Sequence, residues 1–73
     1  MAALYFTGRM ENDGQAIRLE ATDRWDNVVV RVTPQALEEN LIWEVRRVAA
    51  RKYSDGKIEI DGSVLVGGAD FQN

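Results

Sequence analysis

The sequence predicts a two-layer α+β domain, ordered β-β-β-α-β-β, with one antiparallel β-sheet packed on one long α-helix. Three observations carry this prediction. A stretch of 3.6-residue apolar periodicity runs from Leu37 to Lys52, between a capping residue and a glycine stop. Short runs of alternating apolar and polar residues lie on both sides of it. At 73 residues, the chain is long enough for a single domain over 1–73 built around one core.

In chain order, Leu4 and Phe6 alternate with Tyr5 and Thr7, predicting a first strand that ends at Gly8. Arg9 to Gly14 is polar and carries the turn signal Asn12-Asp13-Gly14. Ile17, Leu19 and Ala21 alternate with Arg18 and Glu20, the two-residue period of a half-buried strand. Residues 22–27 read as a polar turn or loop of about six residues. Val28, Val30 and Val32 follow on one face, opposite Val29 and Arg31, completing an antiparallel hairpin.

The helix is the most sharply marked element. Thr33 can cap it with its hydroxyl, and Pro34 suits the first helical position, where its missing N–H costs nothing. Leu37, Leu41, Val45, Val48, Ala49 and Lys52 fall on one arc, with Ile42 and Tyr53 at its margin. Glu38 and Glu39 occupy the early turns, whereas Arg46, Arg47, Arg51 and Lys52 crowd the late ones, which complements the helix dipole. Ser54-Asp55-Gly56 ends a rod of about 20 residues, roughly 30 Å long. Beyond it, Ile58 and Ile60 alternate with Lys57 and Glu59, and Asp61-Gly62 signals a hairpin turn into Val64-Leu65-Val66. An extended chain with a kink at Gly62 is the competing reading. Gly67-Gly68 opens a tail over 67–73 that is expected to be loose, although Phe71 could fold back.

Two stretches also carry a family resemblance. Val30-Arg31-Val32-Thr33-Pro34-Gln35-Ala36-Leu37-Glu38 is a strand running into a capped helix. Val45-Arg46-Arg47-Val48-Ala49-Ala50-Arg51-Lys52 is followed by Asp61-Gly62-Ser63-Val64-Leu65-Val66 and Ala69-Asp70-Phe71. Over most of its length the chain resembles the domain-of-unknown-function family 1488. The resemblance implies a small α+β fold and a cytoplasmic bacterial origin. It implies no activity and carries over no functional residues.

Composition narrows the chemistry. The chain has no histidine and no cysteine, which removes the usual neutral-pH base, the usual soft metal ligands and the best nucleophile. Ser54 and Ser63 have no histidine to activate them, and Ser63 reads as part of a turn. Glu38/Glu39 and Asp23/Asp26 read as helix-start charge and a solvated loop. Asp23-Arg24-Trp25-Asp26-Asn27 lacks the glycine and closing glutamate of a calcium loop. No enzyme activity, metal or cofactor is therefore expected. No apolar run approaches the ~20 residues of a membrane span, and residues 1–6 lack the pattern of a signal peptide, so a cytoplasmic protein is expected. With neither disulfide nor zinc available to so small a core, a homodimer is a reasonable expectation.

The expected function is an interaction or accessory module that binds a protein partner or itself through the solvent face of the helix. Trp43 lies off the apolar arc between Ala36, Ala50 and Arg47, where it either covers the sheet edge or stands exposed as a docking anchor. The candidate partner-binding residues are Trp43, Arg46, Arg47, Ala50 and Arg51. The alternative is nucleic-acid binding, RNA in particular, through Arg46, Arg47, Arg51, Lys52 and Lys57, with Trp25 or Trp43 stacking on bases. A net charge of −3 weighs against it, and the blander reading of the basic cluster is helix-end electrostatics. Sheet edges offer a third surface, which Arg31 or Lys57 could guard.

Overall fold

The computed structural model describes residues 4–71. It is an α+β fold. Three strands, β1 (Tyr5–Asn12), β2 (Ile17–Asp23) and β3 (Asp26–Val32), form an antiparallel meander. Two helices, α1 (Pro34–Glu39) and α2 (Ile42–Ser54), then cross to β4 (Val64–Val66), which pairs parallel to β3. Sheet order is β1-β2-β3-β4.

The alternating residues of β2 and β3 behave as their pattern requires. Leu19, Ala21, Val28, Val30 and Val32 are buried beneath the helices, together with Val64 and Val66 of β4. Ala36, Val45 and Ala49 close the core from the helical side. The opposite face of the sheet carries no helix among the described residues.

Five expectations need correction. The long helix is two helices. Asn40 leaves helical geometry at φ −134°, ψ 151°, and its side-chain amide donates to the Ala36 carbonyl at 3.0 Å. Asparagine offers the backbone this local alternative to continuing a helix. Leu41 becomes the N-cap of α2 and leaves the apolar arc, 61% exposed, while Glu38 and Glu39 fall at the end of α1 instead of the start of a long rod.

The expected hairpin is present, but its connection over 22–27 is tighter than the turn or loop of about six residues expected: Asp23 lies opposite Asp26, with only Arg24 and Trp25 between the strands. Arg24 takes the left-handed conformation (φ 50°) that such a turn demands. Gly8 does not end β1. It adopts φ 90° within a bulge between Phe6 and Met10, and the strand continues to Asn12.

Residues 58–60 form no strand, so the expected order of two strands after the helix, in an all-antiparallel sheet, is not met. The Glu59 amide donates to the Ser63 carbonyl and the Gly62 amide donates back to Glu59, which folds this stretch into a turn beside β4. Ile60 has no layer to pack against and is fully exposed. Finally, Gly68–Phe71 forms a short 3-10 turn where a loose tail was expected, and Phe71 packs against the core. Gln72 and Asn73 lie outside the described residues.

Candidate interaction surface

The termini of α2 set its orientation. At its end, Gly56 (φ 78°) lets the Gly56 amide bond to the Tyr53 carbonyl and the Lys57 amide to the Lys52 carbonyl, which satisfies carbonyls the helix would otherwise leave unpaired. The Tyr53 hydroxyl donates to Asp23 at 2.6 Å and pins this end beside the β2–β3 turn. On the other flank, Lys52 donates to the Leu65 carbonyl at 2.6 Å and pairs with Asp70 at 3.1 Å. Val45 and Ala49 therefore face the sheet, and the shoulder opposite β4 carries Trp43, Arg46 and Ala50.

The expected binding residues separate on this frame. Trp43 is 55% exposed, and the Arg47 guanidinium lies 5.5 Å from its ring centroid, within cation–π range. Arg47 and Arg51 face solvent and Ala50 is half-buried. Arg46 turns inward: its guanidinium sits 5.5 Å from the Phe6 ring of β1, and its Nε is buried without a hydrogen-bond partner among the described residues. It is a packing residue of this shoulder. Ala36, expected on the same face, is fully buried in the core.

The basic set named for nucleic acid is likewise divided. Lys52 is held by Leu65 and Asp70, while Lys57 is exposed beyond the helix end. Trp25 is 91% exposed in the β2–β3 turn. Ser63, one of the two serines considered for chemistry, has a structural partner. The buried Ser63 hydroxyl donates to Asp61 at 2.6 Å, and Asp61 also accepts from the Ser63 amide. These two bonds hold the Asp61 carboxyl below its ordinary range. Among the described residues no group of three acidic, histidine or cysteine side chains could hold a metal ion. No helix there is long and apolar enough to cross a membrane.

A second polar cluster went unread in the sequence. Arg18 and Arg31 are directly opposed across β2 and β3 on the helix-free face, lining a concavity of ≈ 370 Å³ with Asp13 and Asp61. Like charges in that position repel. The two carboxylates lie within electrostatic reach of Arg31 and offset the repulsion. Only the register of the hairpin could have revealed the cluster, because Arg18 and Arg31 are far apart in sequence.

Comparison with protein-family models, with curated proteins and with solved structures found no match to this chain.

Proposed function

We propose that the chain is a noncatalytic interaction or accessory module that binds a protein partner, or a second copy of itself, through the exposed shoulder of α2. One observation carries the reading: Trp43 stands more than half exposed with Arg47 stacked on its ring. A tryptophan held in water by its own helix forgoes burial of a large apolar surface, and docking recovers it. Trp and Arg are also the side chains most enriched among residues that dominate binding energy. Ala50 keeps the shoulder flat beside the indole, and Arg51 adds charge at its rim. A place for the chain beside the domain-of-unknown-function family 1488, with a bacterial and cytoplasmic setting, is part of the same proposal, supported by the residue patterns alone.

The test is affinity capture from a lysate of the source organism, with the wild type beside a Trp43→Ala/Arg47→Ala variant, each with and without nuclease. Loss of captured proteins from the variant alone, unaffected by nuclease, supports docking on α2. Loss with nuclease moves the function to nucleic acid, and identical captures from both baits remove the shoulder from consideration. Because Trp43 is 55% exposed and Arg47 faces solvent, the variant is expected to keep its unfolding free energy within about 0.5 kcal/mol of wild type.

A further inference from the structure

The two edges of the sheet are treated differently. β4 presents the carbonyls of Ser63 and Leu65 outward, since Val66 bonds inward to the Thr33 amide. Both outward carbonyls are taken, Ser63 by the Glu59 amide and Leu65 by the Lys52 ammonium. A lysine charge placed on the edge is a known way to stop strand addition. β1, at the other edge, is eight residues long and pairs on one side only, with β2, while Arg46 of α2 reaches over its Phe6.

The register of β1 identifies which of its groups face outward. The Asp13 amide bonds to the Ala16 carbonyl, so that pair is a hydrogen-bonded one. In an antiparallel ladder such pairs alternate, which makes Glu11–Arg18 the next bonded pair and leaves Met10–Leu19 and Asn12–Ile17 unbonded between them. Met10 therefore directs both its N–H and its C=O away from β2. Its side chain shares the face of buried Leu19, yet it is 58% exposed.

Arg9 and Glu11 flank Met10 on the opposite face, where Arg9 lies 3.6 Å from Glu20. Their charges are arranged as a self-complement. A two-fold axis normal to the sheet through Met10 sets Arg9 opposite Glu11 of a second copy, and Glu11 opposite its Arg9. The same axis pairs Met10 with Met10 in reciprocal N–H···O=C bonds and brings the two exposed thioethers together. The bulge at Gly8 limits the seam to the stretch about Met10, whose flanking charges attract their own image.

We infer that β1 is the seam of a homodimer, in which two copies of this chain join antiparallel about Met10 and merge their four-stranded sheets into one. The occupant is a second copy, because the complementarity is to β1 itself. The inference stands apart from the Trp43 reading, since the seam leaves α2 outside the strand pairing.

Sedimentation velocity over a dilution series tests it with four variants. Wild type is expected to sediment as a dimer. Arg9→Glu and Glu11→Arg each place like charges in both cross-strand pairs, and each is expected to raise the dimer dissociation constant at least about tenfold. The decisive step is to mix these two single variants. The Arg9→Glu chain then presents two carboxylates at positions 9 and 11, and the Glu11→Arg chain presents two guanidinium groups there. Both cross-strand pairs regain opposite charges, so a heterodimer is expected from two proteins that each self-associate more weakly than wild type. The Arg9→Glu/Glu11→Arg double variant should dimerise again, and Trp43→Ala should stay dimeric.

A wild type that is monomeric at every concentration overturns the proposal. So do single variants that dimerise as well as wild type, and a mixture that gives no heterodimer. Dissociation by Trp43→Ala alone would move the seam to α2. Circular dichroism checks that each variant folds. Should the charge variants unfold, amide hydrogen exchange of wild type replaces them: the Met10 amide must gain protection as concentration rises, and constant exposure there rejects the seam.

Discussion

At Gly56 the backbone takes φ 78° with nothing within 4 Å of where a Cβ would stand. Only the conformational preference of the backbone therefore opposes a side chain, and Gly56→Ala is expected to cost about 1 kcal/mol in chemical denaturation. Three hydrogen-bonded side chains have their titration shifted by folding. The Asp13 carboxylate accepts from the Ala16 and Gln15 amides, the Asp61 carboxylate from the Ser63 hydroxyl and amide, and both titrate below their ordinary 3.8. A lowered folded value means that the unfolded chain binds the proton more tightly. Their stabilisation is thus present above pH 3.8 and is lost as pH falls through the folded values. Tyr53 has the opposite sense. Its hydroxyl donates to Asp23, which raises it above 10.0, so its contribution holds below pH 10.0 and is lost as pH rises through the folded value. Thermal melts of Asp61→Asn should show a shallower acid decline than wild type. An unchanged acid limb would show that Asp61 has no part in it.

The helices show how local signals and packing divide the work. The Thr33 hydroxyl accepts from the Ala36 amide at 3.2 Å, and Pro34 occupies the first turn, as their sequence implies. Thr33→Ala is expected to lower stability by about 1 kcal/mol, read from the urea midpoint at constant slope. Asn40 carries the opposite signal, a stop, within a stretch whose apolar spacing runs on unbroken. The spacing is insensitive to one residue of altered geometry, whereas the amide of Asn40 bonding back to Ala36 is not visible in periodicity. The break at Asn40 exposes Leu41 and leaves Trp43 in the first turn of α2.

At the scale of the whole molecule, total stability for 73 residues falls between about 4 and 11 kcal/mol. The fully buried side chains are valines and alanines, so the core is thin. Truncation of Val30 at the centre of the sheet, Val30→Ala, should remove about 2 kcal/mol, a large share of that total, measured by calorimetry or denaturant. A core of this size gains from added burial, and a β1 seam would supply it at exposed Met10. Dimer formation would then make the melting temperature rise with protein concentration.

By itself the sequence determined the α+β class, β2 and β3 with their buried faces, the Thr33–Pro34 start and the Gly56 stop, and the exposure of Arg47 and Arg51. Each of these is set within a few residues, by alternation, by a cap or by a helical turn. It could not determine what depends on distant partners. Ile58 and Ile60 alternate like a strand, but β4 pairs parallel to β3 and the Glu59 and Gly62 amides turn the chain aside, so no neighbour is left for them. Arg46 reads as a surface cation and Lys52 as both an arc residue and a member of the basic cluster; the tertiary structure sets Phe6 beneath one and Leu65 and Asp70 beside the other. The like-charged pair Arg18–Arg31 exists only through hairpin register. Local stereochemistry is written in neighbouring residues, whereas pairing, burial of charge and the blocked or open state of a sheet edge are decided by which segments meet.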